Sequence, residues 1–244
     1  MDLMTLAIAE TSKDKYAIIA VDTESLRFYV VDGLGKEQIV SANNDFYWDI
    51  GAVTRITNPQ IQGDKIWLKG QYCEMIKPFD RNAFKKMLKG LSAEKSDFFE
   101  NKKKPFDVVR FHKVVRIWSD ISSWQKKRNT TLQEVCEDAT VPPPKRNHRL
   151  EAYVWAKKSS GRIVDDYGVD DPSGDYAVIE LLNKDFRWVQ YWDWIESTDG
   201  DKEDKRKKYM GMLNAQRFEK FFVMYRFYPK SGKEVEWIGG VHVL

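Results

Sequence analysis

The run Lys15-Tyr16-Ala17-Ile18-Ile19-Ala20-Val21-Asp22 decides the fold class, together with Leu26-Arg27-Phe28-Tyr29-Val30-Val31 and the turn Asp32-Gly33-Leu34-Gly35 that follow it. Tyr16, Ile18 and Ala20, then Arg27, Tyr29 and Val31, repeat with a period of two. β-Branched and aromatic side chains dominate, and Gly/Asp turn chemistry closes the second segment. Two paired strands are the reading. Residues 3–9 before them, and 38–41, 51–57, 65–69 and 71–76 after them, carry the same signature, with Asn58-Pro59-Gln60 and Gln62-Gly63-Asp64 as turns. A series of short strands ahead of any helix predicts a small barrel or a sandwich.

At residues 82–91 the period changes. Phe84, Met87, Leu88 and Leu91 fall on one helical face, and Lys85, Lys86 and Lys89 on the other. Strand-like alternation returns at 108–118, with Val109, Phe111, Lys113, Val115 and Ile117 expected on one side. Val141-Pro142-Pro143-Pro144-Lys145-Arg146-Asn147 cannot donate to a ladder through its prolines, so residues 141–147 are expected to link a unit at 1–140 to one at 148–244. In the second unit, strands are expected at 149–156, 175–182 and 186–195. A helix is expected over 202–220, with Tyr209, Met212, Leu213 and Gln216 on one face, and a closing hairpin over 221–228 and 233–244. The expected class is β-dominated α+β: two small barrel-like or sandwich-like units, each with about one amphipathic helix.

The composition fits a folded chain. The 244 residues include nine Trp, eleven Tyr and thirteen Phe, which a disordered chain lacks. Only Cys73 and Cys136 are present, without CxxC spacing, so a disulfide scaffold or Cys-rich zinc site is not expected. An acidic Asp2 stands where a signal peptide carries Lys or Arg, and no apolar run approaches the ~20 residues that span a bilayer. A cytoplasmic protein with no membrane partner is the expectation.

The formal charge of +3 conceals a segregation. Residues 1–76 carry −4, 77–162 carry +11, 163–204 carry −10 and 205–244 carry +6. The basic block interleaves Lys/Arg with Phe84, Phe111, Trp118, Trp124, Tyr153 and Trp155, the composition of a surface that tracks phosphates and stacks bases. The expected nucleic-acid contacts are Lys102, Lys103, Lys104, Arg110, Lys113, Arg116, Lys126, Lys127 and Arg128, with Trp118 and Trp124 as platforms and either DNA or RNA as partner. The plainer reading is that the Lys clusters are solvated faces and the aromatics core. A third is that the acidic loop at 165–175 mates with the basic block across subunits or with a protein partner. In the run 186–194, Trp188, Tyr191 and Trp192 cannot share one strand face, which predicts an exposed ring.

Catalytic signatures are sparse. Asp22-Thr23-Glu24 ends an apolar strand and puts two carboxylates on one side, resembling the first motif of RNase H-fold and proofreading-type exonucleases. That resemblance implies a nuclease dependent on Mg²⁺ or Mn²⁺, with Asp107, Asp120 and Asp175 available as further ligands. His112, His148 and His242 share no ligand spacing, and no P-loop, Rossmann or nucleophile-elbow motif occurs. The leading expectation is therefore non-catalytic, with no cofactor.

Leu6-Ala7 with Thr11 and Lys13, then Tyr16-Ala17-Ile18-Ile19-Ala20-Val21-Asp22, Arg27-Phe28-Tyr29-Val30-Val31 and Trp48-Asp49-Ile50-Gly51-Ala52-Val53, resemble a bacterial dual OB-fold family of defence-type gene neighbourhoods. The resemblance covers residues 1–80, and the Arg-Pro which that family carries after its third strand is absent. It implies two consecutive OB-like barrels used for nucleic-acid recognition, as an accessory subunit of a bacterial or phage defence or nucleic-acid-processing system.

Overall fold

The computed structural model describes residues 1–12, 15–39, 47–68, 70–121, 146–156, 176–188, 191, 202–227 and 235–244. Its first half is a sheet built from β1 (Asp2–Ser12), β2 (Lys15–Asp22), β3 (Phe28–Leu34), β4 (Val53–Ile56), β5 (Gln60–Gln62), β6 (Lys65–Trp67) and β7 (Cys73–Lys77), in the order β5-β6-β3-β2-β1-β4-β7. The short helix α1 (Lys36–Ile39) follows β3. Side chains of β1 and β2 are buried on both faces, because the sheet curls around one side and packs on the second half of the chain with the other.

That second half is a closed barrel of β8 (Phe106–Ile121), β9 (Arg146–Trp155), β10 (Tyr176–Asn183), β11 (Lys220–Phe227) and β12 (Val235–Val243), in the order β10-β12-β11-β8-β9. All pairs are antiparallel except β10 with β12. The helix α3 (Lys202–Leu213) lies in sequence between β10 and β11. A meander of three strands, a helix, a final hairpin and one parallel pair closing the cylinder is the OB topology. The curled sheet traces the same order: β1, β2 and β3 meander, β6 joins β3 in parallel, β5 pairs with β6, and β4 returns to β1. There the fourth strand is broken into β4 and β5 by residues 57–59, where Asn58 takes a positive φ of 52° and Pro59 follows. The sheet therefore stays open, with β5 at one edge and β7, paired with β4, at the other.

The expected β-rich class is what the chain adopts. The anticipated break at 141–147 falls in the connection between β8 and β9, the first two strands of the barrel, and Arg146 and Asn147 already belong to β9. Barrel and sheet share a core: Phe106, Val108, Phe221, Val223 and Tyr225 face the sheet, while Val109, Phe111, Phe222 and Met224 fill the barrel. Phe106 stacks between Phe28 of the sheet and Tyr225 of the barrel, with ring centroids 5.6 and 5.1 Å apart. The helix α2 (Arg81–Leu91) joins the halves, capped by Asp80, whose carboxylate accepts from the Ala83 N–H; Phe84 and Leu88 are buried as its periodicity predicts.

Three local expectations are corrected. The helix expected over 202–220 ends at Leu213; Leu213 is buried, Met212 is 60% exposed, and Gln216 lies past the helix end. In the strand expected over 186–195, residues 186–188 are helical, because Asp185 accepts from the N–H groups of Arg187 and Trp188 and starts a turn. Trp188 is buried there, edge-on to Tyr209, and Tyr191 stacks on the same ring; Trp192 and Trp194 lie outside the described residues. The third correction, in β8, positions the site.

Candidate nucleic-acid interface

Strict alternation along β8 would carry Lys113 to the same side as Phe111, inside the barrel. Instead β8 is bulged twice against β9: Phe111 pairs with Val154 and Lys113 with Tyr153, then Val114 with Ala152 and Arg116 with Glu151. His112 and Val115 are the extra residues. The phase slips at each bulge, so Phe111, Val114 and Ile117 point in, while Lys113, Arg116 and Trp118 point out. Asn214, just past α3, holds this geometry. Its side-chain oxygen accepts from the Val114 N–H at 2.7 Å and its amide donates to the Val114 carbonyl at 2.8 Å, replacing the ladder bonds a bulge forfeits.

The outward row continues across β9 and β10. Leu150, Ala152 and Val154 are buried in the barrel, and Arg149, Glu151, Tyr153 and Trp155 alternate with them on the outside. Lys113 stands opposite Tyr153, Arg116 opposite Glu151 and Trp118 opposite Arg149. Arg116 stacks over Trp118 at 4.3 Å from the ring centre. Among the described residues Glu151 lies 3.6 Å from Arg116, and Glu180 of β10 lies 3.5 Å from Arg149. Exposed pairs of that length contribute about 0–1 kcal/mol, so a phosphate can displace them at little loss.

The expected contacts divide. Lys113, Arg116 and Trp118 come together on this face. Lys102 and Lys104 are already neutralised, Lys102 by Glu236 at 3.0 Å and Lys104 by Asp97 at 2.9 Å and Asp107 at 3.0 Å. Burial works against the Lys104 charge, but Asp97 and Asp107 prevail and hold its pKa above the ordinary lysine value. Lys103 is exposed and pairs with no carboxylate among the described residues. The loop carrying these lysines is fixed by Arg226, whose buried guanidinium donates to the carbonyls of Asn101, Lys104 and Phe98 and to Glu236. Arg110 donates to Ser92 Oγ and lies at the barrel end. Trp124, Lys126, Lys127 and Arg128 lie outside the described residues.

The alternative site has a structural occupation. Asp22 Oδ1 accepts from the Ser25 N–H and Oγ and from the Glu24 N–H, capping the turn after β2. Burial raises the Asp22 pKa, but these donors outweigh it and leave it lowered. Asp107 is engaged with Ser96 and Lys104. Among the described residues no three His, Cys, Asp or Glu side chains gather into a metal-holding group. Among them, too, no helix is long and apolar enough to cross a membrane.

Trp155, Phe218 and Lys220, absent from the expected contacts, line a cleft beside this face. Trp155 stands in the sequence among the aromatics of the basic block; Phe218 and Lys220 carry no such signal, because Arg217-Phe218-Glu219-Lys220 lies in the +6 C-terminal segment and shows no motif.

No family model matches the chain, and no curated protein matches it in sequence. Among solved structures it is similar to a murine DNA-binding protein bound with double-stranded DNA, at 10% identity and a TM-score of 0.32, covering 100% of this chain and 94% of that one. It is also similar to the Ifi202 HINa domain in complex with 20-bp double-stranded DNA, at 9% identity and a TM-score of 0.33, with the same coverage. Neither likeness is close enough to define this fold. The strand order does that, and it makes the second half of the chain an OB-type barrel whose first three strands carry Lys113, Arg116 and Arg149 among Trp118, Tyr153 and Trp155 on the outside, with Glu151 and Glu180 beside them.

Proposed function

We propose that this protein binds nucleic acid without processing it, along the outer face of β8, β9 and β10. The observation that carries the reading is the double bulge of β8, which turns Lys113, Arg116 and Trp118 outward beside Tyr153 and Trp155. Cations on that row would meet phosphates and release counterions, and the rings would stack bases. β9 and β10 are strands 2 and 3 of the barrel, whose face binds oligonucleotides in OB barrels generally, and β8 borders them as strand 1. The β8–β9 connection, whose sequence holds Trp124, Lys126, Lys127 and Arg128, is the expected flank of the same face. A cytoplasmic accessory role in a defence or nucleic-acid-processing system, as the N-terminal resemblance implies, is the context we propose for it.

Fluorescence anisotropy with labelled single-stranded DNA and RNA in low salt tests the reading. Binding that weakens as salt rises is expected, and Trp118→Ala should weaken it roughly tenfold through loss of one stacking platform. Wild-type protein that leaves both probes free in low salt overturns it.

A further inference from the structure

At the end of the outer face, where Trp155 closes β9, a cleft of about 380 Å³ opens between β8, β9 and residues 216–221. Its size is that of a site for one small ligand, near the lower end of the roughly 300–1,000 Å³ such sites occupy. The first bulge of β8 lies in its wall. His112, pushed out of register, leaves its carbonyl to Lys220, whose Nζ donates to it at 2.6 Å.

The lining has the chemistry of a phosphorylated aromatic ligand. Arg110 donates through Nε to Ser92 Oγ at 3.1 Å and pairs with no carboxylate among the described residues. Lys220 likewise has no carboxylate partner among them, and burial alone pushes its pKa below the ordinary value. Glu219 also lines the cleft, and its carboxylate is matched by Lys89 at 2.7 Å and Lys85 at 3.6 Å. Phe218 presents a ring flanked by Arg217 and Arg81, at 4.7 and 5.7 Å from the ring centre. With the Glu219 carboxylate taken up by Lys85 and Lys89, Arg110 and Lys220 are left beside aromatic walls, which suits an anion that carries a flat ring.

We infer that the cleft takes the phosphorylated terminal nucleotide of a strand lying on the outer face, with its phosphate met by Arg110 and Lys220 and its base set against Trp155 and Phe218. Trp155 belongs to both surfaces, so a strand following the row Arg149, Tyr153, Trp155 runs into the cleft at its end. The inference rests on the proposed strand-binding face.

The test is calorimetric titration of the whole protein with unlabelled oligothymidylate of roughly ten nucleotides. Three forms are compared: a 5′-phosphate, a 3′-phosphate, or hydroxyls at both ends. One of the phosphorylated forms should bind roughly tenfold tighter than the hydroxyl form, the scale of a charge-assisted contact. That gain should vanish in Lys220→Met and in Arg110→Gln. Lys113→Glu, on the outer face, should weaken all three forms alike and leave the ratio unchanged. If all three bind equally well to wild-type protein, or if the gain survives both cleft variants, the cleft assignment is wrong while the face stands. If none binds, both are wrong.

Discussion

His242 stands where sheet, barrel and α2 meet, and its protonation state follows from its partners. Nε2 faces the Leu6 carbonyl at 2.8 Å, so that nitrogen carries the hydrogen; Nδ1 lies 3.3 Å from Arg187 Nη2 and accepts from it. Phe84 packs edge-on to the ring. Burial first, then the Arg187 charge, pull its pKa down to about 4, against an ordinary value near 6.5. The unfolded chain thus takes up this proton at a higher pH than the folded one. Its effect on stability is absent above about pH 6.5, grows as pH falls from there to about 4 at close to 1.4 kcal/mol per pH unit, and levels off below. Urea midpoints measured across that range should fall with pH in the wild type and much less steeply in His242→Gln. Equal slopes in the two proteins would mean that His242 titrates normally. Spacing showed no partner for this histidine, because its partners Leu6 and Arg187 lie far off in sequence and only the sheet-on-barrel packing brings them together.

At the level of the strand, the bulges of β8 separate what the sequence makes legible from what it does not. Alternation in 108–118 marks the strand correctly, and Val109 and Phe111 are inside as expected. The same alternation misplaces Lys113, since period-two reading assumes an unbroken ladder. The device that breaks it is Asn214, a hundred residues away, and no local rule reveals that contact. Conversely, Lys102, Lys103 and Lys104 stand together among the expected phosphate contacts, yet two of the three are matched by Asp97, Asp107 and Glu236 once the loop folds onto the barrel. Asn214→Leu removes both bonds to Val114 and leaves that backbone pair unsatisfied, a loss of about 1–3 kcal/mol by denaturant titration. It should also weaken oligonucleotide binding by letting Lys113 and Arg116 drift from the face. Full stability and affinity in this variant would show that the bulges hold themselves.

Across the whole molecule, the two halves approach closely at Gly239-Gly240 of β12. A methyl group on Gly240 would come within 2.8 Å of Ala7 Cβ on β1, a position with no flexible side chain to yield. Gly240→Ala should therefore lower stability by about 1–3 kcal/mol through overpacking, and an unchanged urea midpoint would mean that sheet and barrel slide freely. The apparent neutrality of the chain resolves at this scale too. Within the basic block Glu219 meets Lys85 and Lys89 and Glu236 meets Lys102, and the proposed function concentrates the phosphate contacts on Lys113 and Arg116 of the barrel's outer face. The salt dependence of oligonucleotide binding tests that concentration most directly. In the double variant Lys113→Glu/Arg116→Glu, the slope of log affinity against log salt should fall by roughly 1 to 1.5, given about 0.7 per phosphate contact on a single strand. The Lys102→Glu/Lys103→Glu/Lys104→Glu variant should keep most of the wild-type slope. A slope unchanged in the first variant and flattened in the second would contradict the account.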